Sequence, residues 1–294
     1  MGRIEDALAK LQAREKIRDA AIGTTTLGRV IAPADRLPEP AAVRQRHNYG
    51  GKRVEIDLKE LHAQGLLAPD SQERKLADQY RVIKRPLLRN AANSQPSGVP
   101  RGNLLMIASA LAGEGKTFTC LNLCLSMARE EDWDVVLVDG DCKKPHLTRL
   151  FGAEAEFGFM DLLRDTSAQF DSFVMPTSVP GLSLLPAGKR DERASELIAS
   201  ARMDALCAEL AANDTRRIVL FDSAPLLLTT ESAVLASHVG QVVMVVQANR
   251  TPQKAVLAAI DKLDPAKAIN LVLNQVDLKS GSPYGEYYGY DQPA

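Results

Sequence analysis

Residues 113–117, Gly-Glu-Gly-Lys-Thr, form the segment of the chain best suited to chemistry. An apolar run at 104–108 precedes them and a helical pattern follows, which is the order of elements that a phosphate-binding loop requires. The glycines let backbone N–H groups converge on phosphate oxygens, Lys116 reaches the β- and γ-phosphates, and Thr117 lies where Mg²⁺ is held. Ala110 replaces the first glycine of the G-x-x-x-x-G-K-[ST] pattern, so a strand–turn–helix junction with a chance lysine is the alternative.

Three aspartates at the ends of apolar runs are candidate metal ligands. Asp139 and Asp141 follow the run Val-Val-Leu-Val at 135–138, and Asp222 closes another run. Carboxylates beside a phosphate loop offer Mg²⁺ oxygen ligands or contacts through its water shell. The alternative for any one aspartate is a turn residue that caps the next helix. Three aspartates on strands that are expected to flank the loop favour a metal site over three separate turn residues.

Apolar strands alternate with helical patterns from residue 104 onward. Near-continuous β-branched runs predict parallel strands, buried on both faces and joined by right-handed crossovers. The predicted strands are 104–108, 135–139, 182–185, 217–222, 241–247 and 269–274, and the predicted helices are 116–129, 193–212, 230–237 and 252–263. Ligands of such sheets bind beyond the carboxyl ends of the strands, where the lysine and the aspartates fall.

The chain outside this α/β pattern is predicted to hold less regular structure. The predictions there are an amphipathic helix over 3–19, a linker over 22–57, helices over 57–64 and 71–84, the second ended by Pro86, and a loop over 91–101. Three parts result: an N-terminal extension (1–73), an α/β domain (74–278) and a tyrosine-rich tail (279–294).

Composition excludes several classes of protein. The net charge is −1, from 36 basic and 37 acidic residues, which argues against a generally basic surface for nucleic acid. No apolar run approaches the roughly 18–20 residues that span a bilayer, and the charged N-terminus is unlike a signal peptide.

Cys120 and Cys124 lie four residues apart, as in half a metal site, but no second pair completes it. The cysteines are therefore expected to be small hydrophobic residues of the core.

Three segments carry a resemblance to a known family. In chain order they are ASALAGEGKT, VVLVDGDCKKP and IVLFDSAP, and they resemble the Walker A, Walker A′ and Walker B motifs of bacterial tyrosine kinases. The resemblance extends over about residues 74–290 and is greatest to the soluble autokinases of exosortase-associated exopolysaccharide systems. It implies a P-loop NTPase-type sheet, mostly parallel and flanked by helices, and an ATP-dependent protein-tyrosine autokinase. Ala112 replaces the family's proline and Lys143 its arginine, and a lysine lacks the bidentate fork.

The motifs and the resemblance together assign candidate roles. We expect Lys116, Asp139 and Asp141 to be catalytic, with Asp139 orienting and deprotonating the acceptor phenol. The expected ligands of ATP are Gly113, Glu114, Gly115, Lys116, Thr117, Phe118 and, for adenine, Asn274. The expected ligands of Mg²⁺, direct or through its water shell, are Thr117, Asp141 and Asp222.

The last residues of the sequence are rich in phenols. Four of the six tyrosines lie in the segment 279–294, where glycine and proline disfavour a helix, at Tyr284, Tyr287, Tyr288 and Tyr290. In isolation the segment is equally compatible with sticky low-complexity sequence. Beside a kinase-like nucleotide site, it resembles the cluster that the family phosphorylates on itself.

The resemblance also implies partners. It implies a homo-oligomeric ring, a separate transmembrane activator, a tyrosine phosphatase, and a cytoplasmic protein attached to the inner membrane through the activator. Asp78, Arg81 and Lys84 share one helix face and resemble the family's oligomerisation motif, although a solvated charged helix explains them equally well.

Two other functions remain open from the sequence. One is a partitioning-type P-loop ATPase switch without kinase activity; Leu111 disfavours it, because such ATPases carry a signature lysine at that position. The other is a nucleotide-sensing scaffold without catalysis, which would have no need of Asp139.

Overall fold

The computed structural model describes residue 47 and residues 49–92, 98–212 and 216–276, and these contain one sheet flanked by helices. The α/β fold that the sequence predicts is therefore confirmed. Its strands are β1 Leu104–Ser109, β2 Asp134–Asp139, β3 Met175–Pro176, β4 Leu182–Leu185, β5 Arg217–Asp222, β6 Gln241–Gln247 and β7 Ala268–Asn274. The predicted helix 3–19 and the tail 279–294 lie outside the described residues.

The order of the strands places the carboxyl ends of β1, β2 and β5 side by side. The order across the sheet is β3-β4-β2-β5-β1-β6-β7, and all neighbours are parallel except β3 and β4. The six predicted strands are confirmed. The sequence analysis missed β3, because two residues carry no periodicity and only pairing with β4 defines the strand.

Helices cover both faces of the sheet. They are α1 Leu58–Ala63, α2 Glu73–Ala92, α3 Lys116–Ala128, α4 His146–Leu150, α5 Phe159–Arg164, α6 Phe170–Phe173, α7 Ala194–Ile198, α8 Ala201–Ala212, α9 Thr230–His238 and α10 Gln253–Ile260. Alternate residues of the central strands point to opposite faces: Leu105 and Ile107 of β1 pack on the side of α2 and α3, and Met106 packs on the other side. Both faces are buried, as the continuous apolar runs predict.

One predicted helix is divided in two. The sequence predicts a continuous helix over 193–212, but α7 ends at Ile198 and α8 begins at Ala201. The Ser200 hydroxyl donates a 2.7 Å hydrogen bond to the Leu197 carbonyl and accepts one from the Met203 N–H at 3.4 Å. This side chain gives the backbone an alternative to helical hydrogen bonds at the junction.

Pro86 does not end its helix, which corrects the prediction for 71–84. Helix α2 continues through Pro86 to Ala92. Burial on both sides of the proline explains the continuation, because Leu87 is fully buried and Lys84 is only 5% exposed. Packing of α2 against α3 outweighs the local cost of the proline.

The stretch immediately before α1 is more ordered than the predicted linker over 22–57. Residues 49–56 run beside β3: the Gly51 and Val54 N–H groups donate to the carbonyls of Val174 and Pro176 at 3.0 and 2.9 Å. Upstream of Val54, the Tyr49 ring lies 5.5 Å from the buried Arg217 guanidinium. These contacts depend on tertiary structure and leave no periodic pattern in the sequence.

The prediction that the cysteines are buried is confirmed. All four cysteines are free and buried, and within the described ranges no cluster of three or more histidine, cysteine, aspartate or glutamate side chains could hold a metal ion.

Within the described ranges, no helix has the length and apolar character needed to cross a bilayer.

Lys84 provides a test of the packing of α2 against α3. Its ammonium donates to the Ser126 carbonyl and pairs with Glu130, both at 2.6 Å, whereas Arg81 pairs with Asp78 at 2.6 Å on the exposed surface. We expect Lys84→Ala to lower the free energy of unfolding by about 1–3 kcal/mol, because it removes a buried hydrogen bond and the packing of the stem. Chemical denaturation measures the loss.

Arg81→Ala is the matched control on the same helix. We expect it to change the free energy of unfolding by less than about 0.5 kcal/mol, since exposed ion pairs contribute little. An unchanged stability for Lys84→Ala, with a smaller oligomer, would instead place Lys84 at a subunit boundary.

Candidate active site

The loop between β1 and α3 is held in a compact conformation by its own glutamate. Gly113 and Gly115 have φ angles of 81° and 90°, the left-handed region that glycine adopts without strain. The Glu114 carboxylate is buried; it accepts a 2.5 Å hydrogen bond from the Leu111 N–H and another from the Thr251 hydroxyl. Sequence analysis missed Thr251, which follows β6 and therefore lies at the same edge of the sheet.

Asn274 supports the same loop from the end of β7. Its side-chain amide donates to the Glu114 carbonyl at 2.9 Å, and a β-carbon at position 115 would lie 2.0 Å from that amide nitrogen. The φ angle of Gly115 favours glycine, and a larger residue there would also displace the Asn274 amide from the loop. The adenine contact expected of Asn274 stays a prediction, as does the nucleotide contact of the half-buried Phe118.

Ala110 is accommodated where the Walker pattern has glycine. Its side chain is fully buried, and its carbonyl accepts a 3.3 Å hydrogen bond from the Leu227 N–H. The alanine therefore fits into the core directly after β1, and the glycine turn follows it.

Lys116 projects from the first turn of α3 toward acidic side chains. Its ammonium donates a 3.0 Å hydrogen bond to the Ser109 hydroxyl at the end of β1. Burial lowers the pKa of Lys116, and the nearby charges of Asp222, Asp141 and Glu114 oppose that shift. The sequence analysis did not identify Ser109, because serine is common at the ends of strands.

Asp222 ends β5 directly beside the loop. Its Oδ2 accepts a 2.8 Å hydrogen bond from the Thr117 hydroxyl, whereas Oδ1 is buried and has no hydrogen-bond partner among the described residues. Burial raises the pKa of Asp222 to about 7, against the effect of the Thr117 hydrogen bond. A buried carboxylate oxygen without a donor is suited to a cation or its water shell.

Asp139 lies level with Asp222 on the adjacent strand, so the two carboxylates are neighbours. The N–H and hydroxyl groups of Thr148 both donate to its Oδ2 at 2.8 Å, and the Asp141 N–H lies 3.3 Å from Oδ1. The side chain is 1% exposed, and burial raises its pKa to about 6. Thr148 orients the carboxylate, a role that its sequence context did not suggest.

Asp141 lies at the rim of the site. A close approach of Gly140 to β5 brings it there: the Gly140 N–H donates to the Asp222 carbonyl at 2.8 Å, and a β-carbon at Gly140 would lie 2.8 Å from that oxygen. One carboxylate oxygen of Asp141 accepts a 3.0 Å hydrogen bond from the Lys144 N–H. The structure thus brings Lys116, Thr117 and the three predicted aspartates to one edge of the sheet.

No protein-family profile matches the sequence. The chain is 30% identical over 289 residues to the putative tyrosine-protein kinase EpsB of Ralstonia nicotianae, which covers 92% of this chain and 37% of EpsB. It is 27% identical over 229 residues to the putative tyrosine-protein kinase CapB of Staphylococcus aureus, which covers 77% of this chain and 96% of CapB.

A solved structure agrees with these relatives. The kinase domain of VpsO superposes with a TM-score of 0.55 at 27% identity, over 71% of this chain and 100% of that domain. The chain belongs to the bacterial tyrosine kinase family of P-loop proteins. It spans little more than a third of EpsB, 37% of its length.

The bacterial tyrosine kinase motifs depart from the family pattern at Lys143, and the structure shows what replaces the arginine. The Lys143 ammonium pairs with the Glu231 carboxylate at 2.9 Å, beside Asp141. Glu231 of α9 holds the Lys143 side chain at the rim of the site. The lysine in place of arginine therefore leaves the candidate metal ligands where they are.

The site fits a nucleotide phosphate with a hydrated Mg²⁺. The glycine turn, the Lys116 ammonium and the orphaned oxygen of Asp222 supply the groups that such a ligand needs. No described group of three acidic side chains is close enough to cage a metal alone. Mg²⁺ commonly keeps several waters and binds through one or two protein oxygens plus phosphates, so this arrangement suits it.

The raised pKa of Asp222 predicts how stability depends on pH when Mg²⁺ and nucleotide are removed. The folded-state pKa of about 7 lies above the ~3.9 of an unfolded aspartate. The folded state then binds more protons between these values, so stability falls as pH rises from about 4 to about 7. We expect Asp222→Asn to flatten this fall and to raise the free energy of unfolding at pH 8 by about 1–3 kcal/mol.

Urea unfolding at several pH values in a chelator measures this dependence. Asp132→Asn is the control, because Asp132 is an exposed aspartate paired with Arg216 at 2.9 Å. Stability curves for Asp222→Asn that run parallel to the unmodified protein would contradict the prediction. Asp139 contributes a residual slope of the same sign, because burial raises its pKa to about 6.

Proposed function

We propose that the chain is an ATP-dependent protein-tyrosine autokinase that transfers the γ-phosphoryl group of ATP to tyrosines of its own tail. The observation that carries the proposal is the juxtaposition of Lys116, the Thr117–Asp222 pair and the buried Asp139 at one edge of the sheet. Kinship with EpsB and CapB supports it, because both are named as putative tyrosine-protein kinases. The acceptors proposed are Tyr284, Tyr287, Tyr288 and Tyr290.

Asp139 is proposed to activate the phenol. A free phenol has a pKa of about 10 and is a poor nucleophile at neutral pH. Thr148 engages Oδ2, so Oδ1 is the oxygen through which Asp139 would accept the phenolic proton. A pKa of about 6 brings this carboxylate nearer to neutral pH, where a general base is most effective.

Lys116 and the loop are proposed to bind the phosphates. As the phenolic oxygen bonds to the γ-phosphorus, the bond to the ADP oxygen breaks and ADP leaves. Charge develops on the transferred oxygens, and the Lys116 ammonium would stabilise it from its position beside Ser109. Buried surroundings strengthen this interaction relative to water.

Thr117, Asp141 and Asp222 are proposed to hold Mg²⁺, directly or through water. The bound ion would neutralise charge on the β- and γ-phosphates. The proposal depends on the Asp222 oxygen that lacks a donor and on the half-exposed position of Asp141. Adenine binding by Asn274, and nucleotide contacts by Gly113, Glu114, Gly115 and Phe118, complete the proposed ATP site.

Assembly and partners are proposed from the family resemblance. A homo-oligomeric ring would let one subunit's tail reach its neighbour's site at high effective concentration. Asp78 and Arg81 are exposed and available for such a boundary, but Lys84 is buried within its own chain. A transmembrane activator, a tyrosine phosphatase, attachment to the inner membrane through the activator, and control of exopolysaccharide synthesis or export belong to the same proposal.

Removing the ammonium is the first test. We expect Lys116→Met to reduce phosphotyrosine formation with Mg-ATP by about 10²-fold or more, because the charge on the transferring group is no longer stabilised. Replacing all four tail tyrosines with phenylalanine should also abolish the label. Immunoblotting for phosphotyrosine reads both variants, and Lys262→Met, an exposed lysine after α10, is the control. Phosphate release to water without labelled protein would favour the ATPase switch.

Asp139→Asn tests the base. We expect phosphotyrosine formation to fall by about 10²–10⁴-fold, because the amide cannot accept the phenolic proton at Oδ1. Binding of a fluorescent ATP analogue should change little, since the amide oxygen can still accept from Thr148. A parallel loss of nucleotide binding would assign Asp139 to the phosphate or metal site.

A further inference from the structure

The outer edge of the sheet at β7 lacks the usual protection of an edge strand. Within the residues that the structure describes, β7 pairs with β6 on one side and with no strand on the other. Its sequence, Ala-Ile-Asn-Leu-Val-Leu-Asn, contains no charged residue and no proline. Natural edge strands of this length usually carry such residues, because unpaired N–H and C=O groups invite another strand.

An apolar stripe runs along this edge. Leu271 and Leu273 are 46% and 61% exposed, whereas Val272 between them packs on the core beneath α2 and α3. Successive side chains of a strand alternate, so the two leucines lie on one face of β7 beside the partly buried Ile269. Paired exposed leucines beside a strand edge that no strand of the described residues covers indicate a docking site for an extended segment.

The chain itself supplies a segment that matches the edge. Residues 277–294 begin three positions after Asn274, the end of β7, and they include tyrosines two apart at 288 and 290, the same spacing as Leu271 and Leu273. Period-2 alternation would place Tyr284, Tyr288 and Tyr290 on one side of an extended segment and Tyr287 on the other. Gln275 already has a left-handed φ of 56°, and residues 275–283 include Gly281 and Pro283, which suit a reversal of direction.

We propose that the carboxyl half of β7, residues 271–274, is a docking site for the segment 287–290 of the same chain, which pairs antiparallel with it. Rings at Tyr288 and Tyr290 would cover Leu273 and Leu271, and aromatic rings pack well against aliphatic residues across a strand pair. The connection is short, so the effective concentration of the tail at its own β7 is of millimolar order, which favours it over a second copy of the chain.

Docking would keep the acceptor tyrosines out of a neighbour's site until they are released. Asn274 at the end of β7 contacts the phosphate loop, so the docked tail lies next to the nucleotide site of its own subunit. A phosphate on Tyr288 or Tyr290 adds about −1.5 to −2 charge against the leucine stripe, which would expel the tail. This release rests on the proposed kinase function, whereas the docking does not.

Backbone amide hydrogen exchange tests the docking in the full chain carrying Lys116→Met. No tail phosphorylation is expected in this background, so failure of the kinase proposal leaves the result interpretable. The readout is exchange of the peptide covering β7. We expect Tyr288→Ser to speed exchange of the β7 amides that point away from β6 by about tenfold, because the tail no longer protects them.

Tyr287→Ser is the matched control, since this ring lies on the opposite side of the tail and should leave exchange unchanged. Unchanged exchange in Tyr288→Ser, or equal acceleration in both variants, would overturn the proposal. The exchange rates should also be independent of protein concentration over about a hundredfold range. Protection that is lost on dilution would overturn docking in the same chain and identify a second copy as the occupant.

Discussion

Burial of two carboxylates on adjacent parallel strands is the constraint on which the rest of the site depends. Asp139 and Asp222 are level in the sheet and almost completely buried, which raises the pKa of both. Thr148 and Thr117 each supply a hydroxyl that partly compensates for this desolvation. The nearby Lys116 ammonium adds to this compensation, and a cation bound at the free oxygen of Asp222 would add more.

The phosphate loop is rigid because its acidic residue faces inward. Glu114 accepts hydrogen bonds from Leu111 within the loop and from Thr251 after β6, and Asn274 holds its carbonyl from β7. The ends of three strands and the start of one helix are thereby joined at one point. A loop held in this way can present its backbone to phosphate with little further ordering, which favours binding.

Local pattern and tertiary packing disagree at two places away from the site. Pro86 indicates the end of a helix, yet burial of Lys84 and Leu87 carries α2 through it. Ser200 lies within a helical pattern, yet its hydroxyl interrupts the helix. The first difference arises because Lys84 has its partner, Ser126, far away in the chain. The second arises from a local hydrogen bond of the serine side chain, which hydrophobic periodicity does not register.

The amino-acid sequence by itself determined the strand–helix alternation, the glycine turn with Lys116, and the aspartates at the ends of β2 and β5, because each follows from local periodicity and residue chemistry. Only the tertiary structure decided which side chains meet. Strand order brings Asp139 beside Asp222, and long-range contacts give Glu114 its partner Thr251, Asp139 its partner Thr148 and Lys84 its buried position. Such pairings depend on distances between residues far apart in the chain, which spacing along the sequence does not encode.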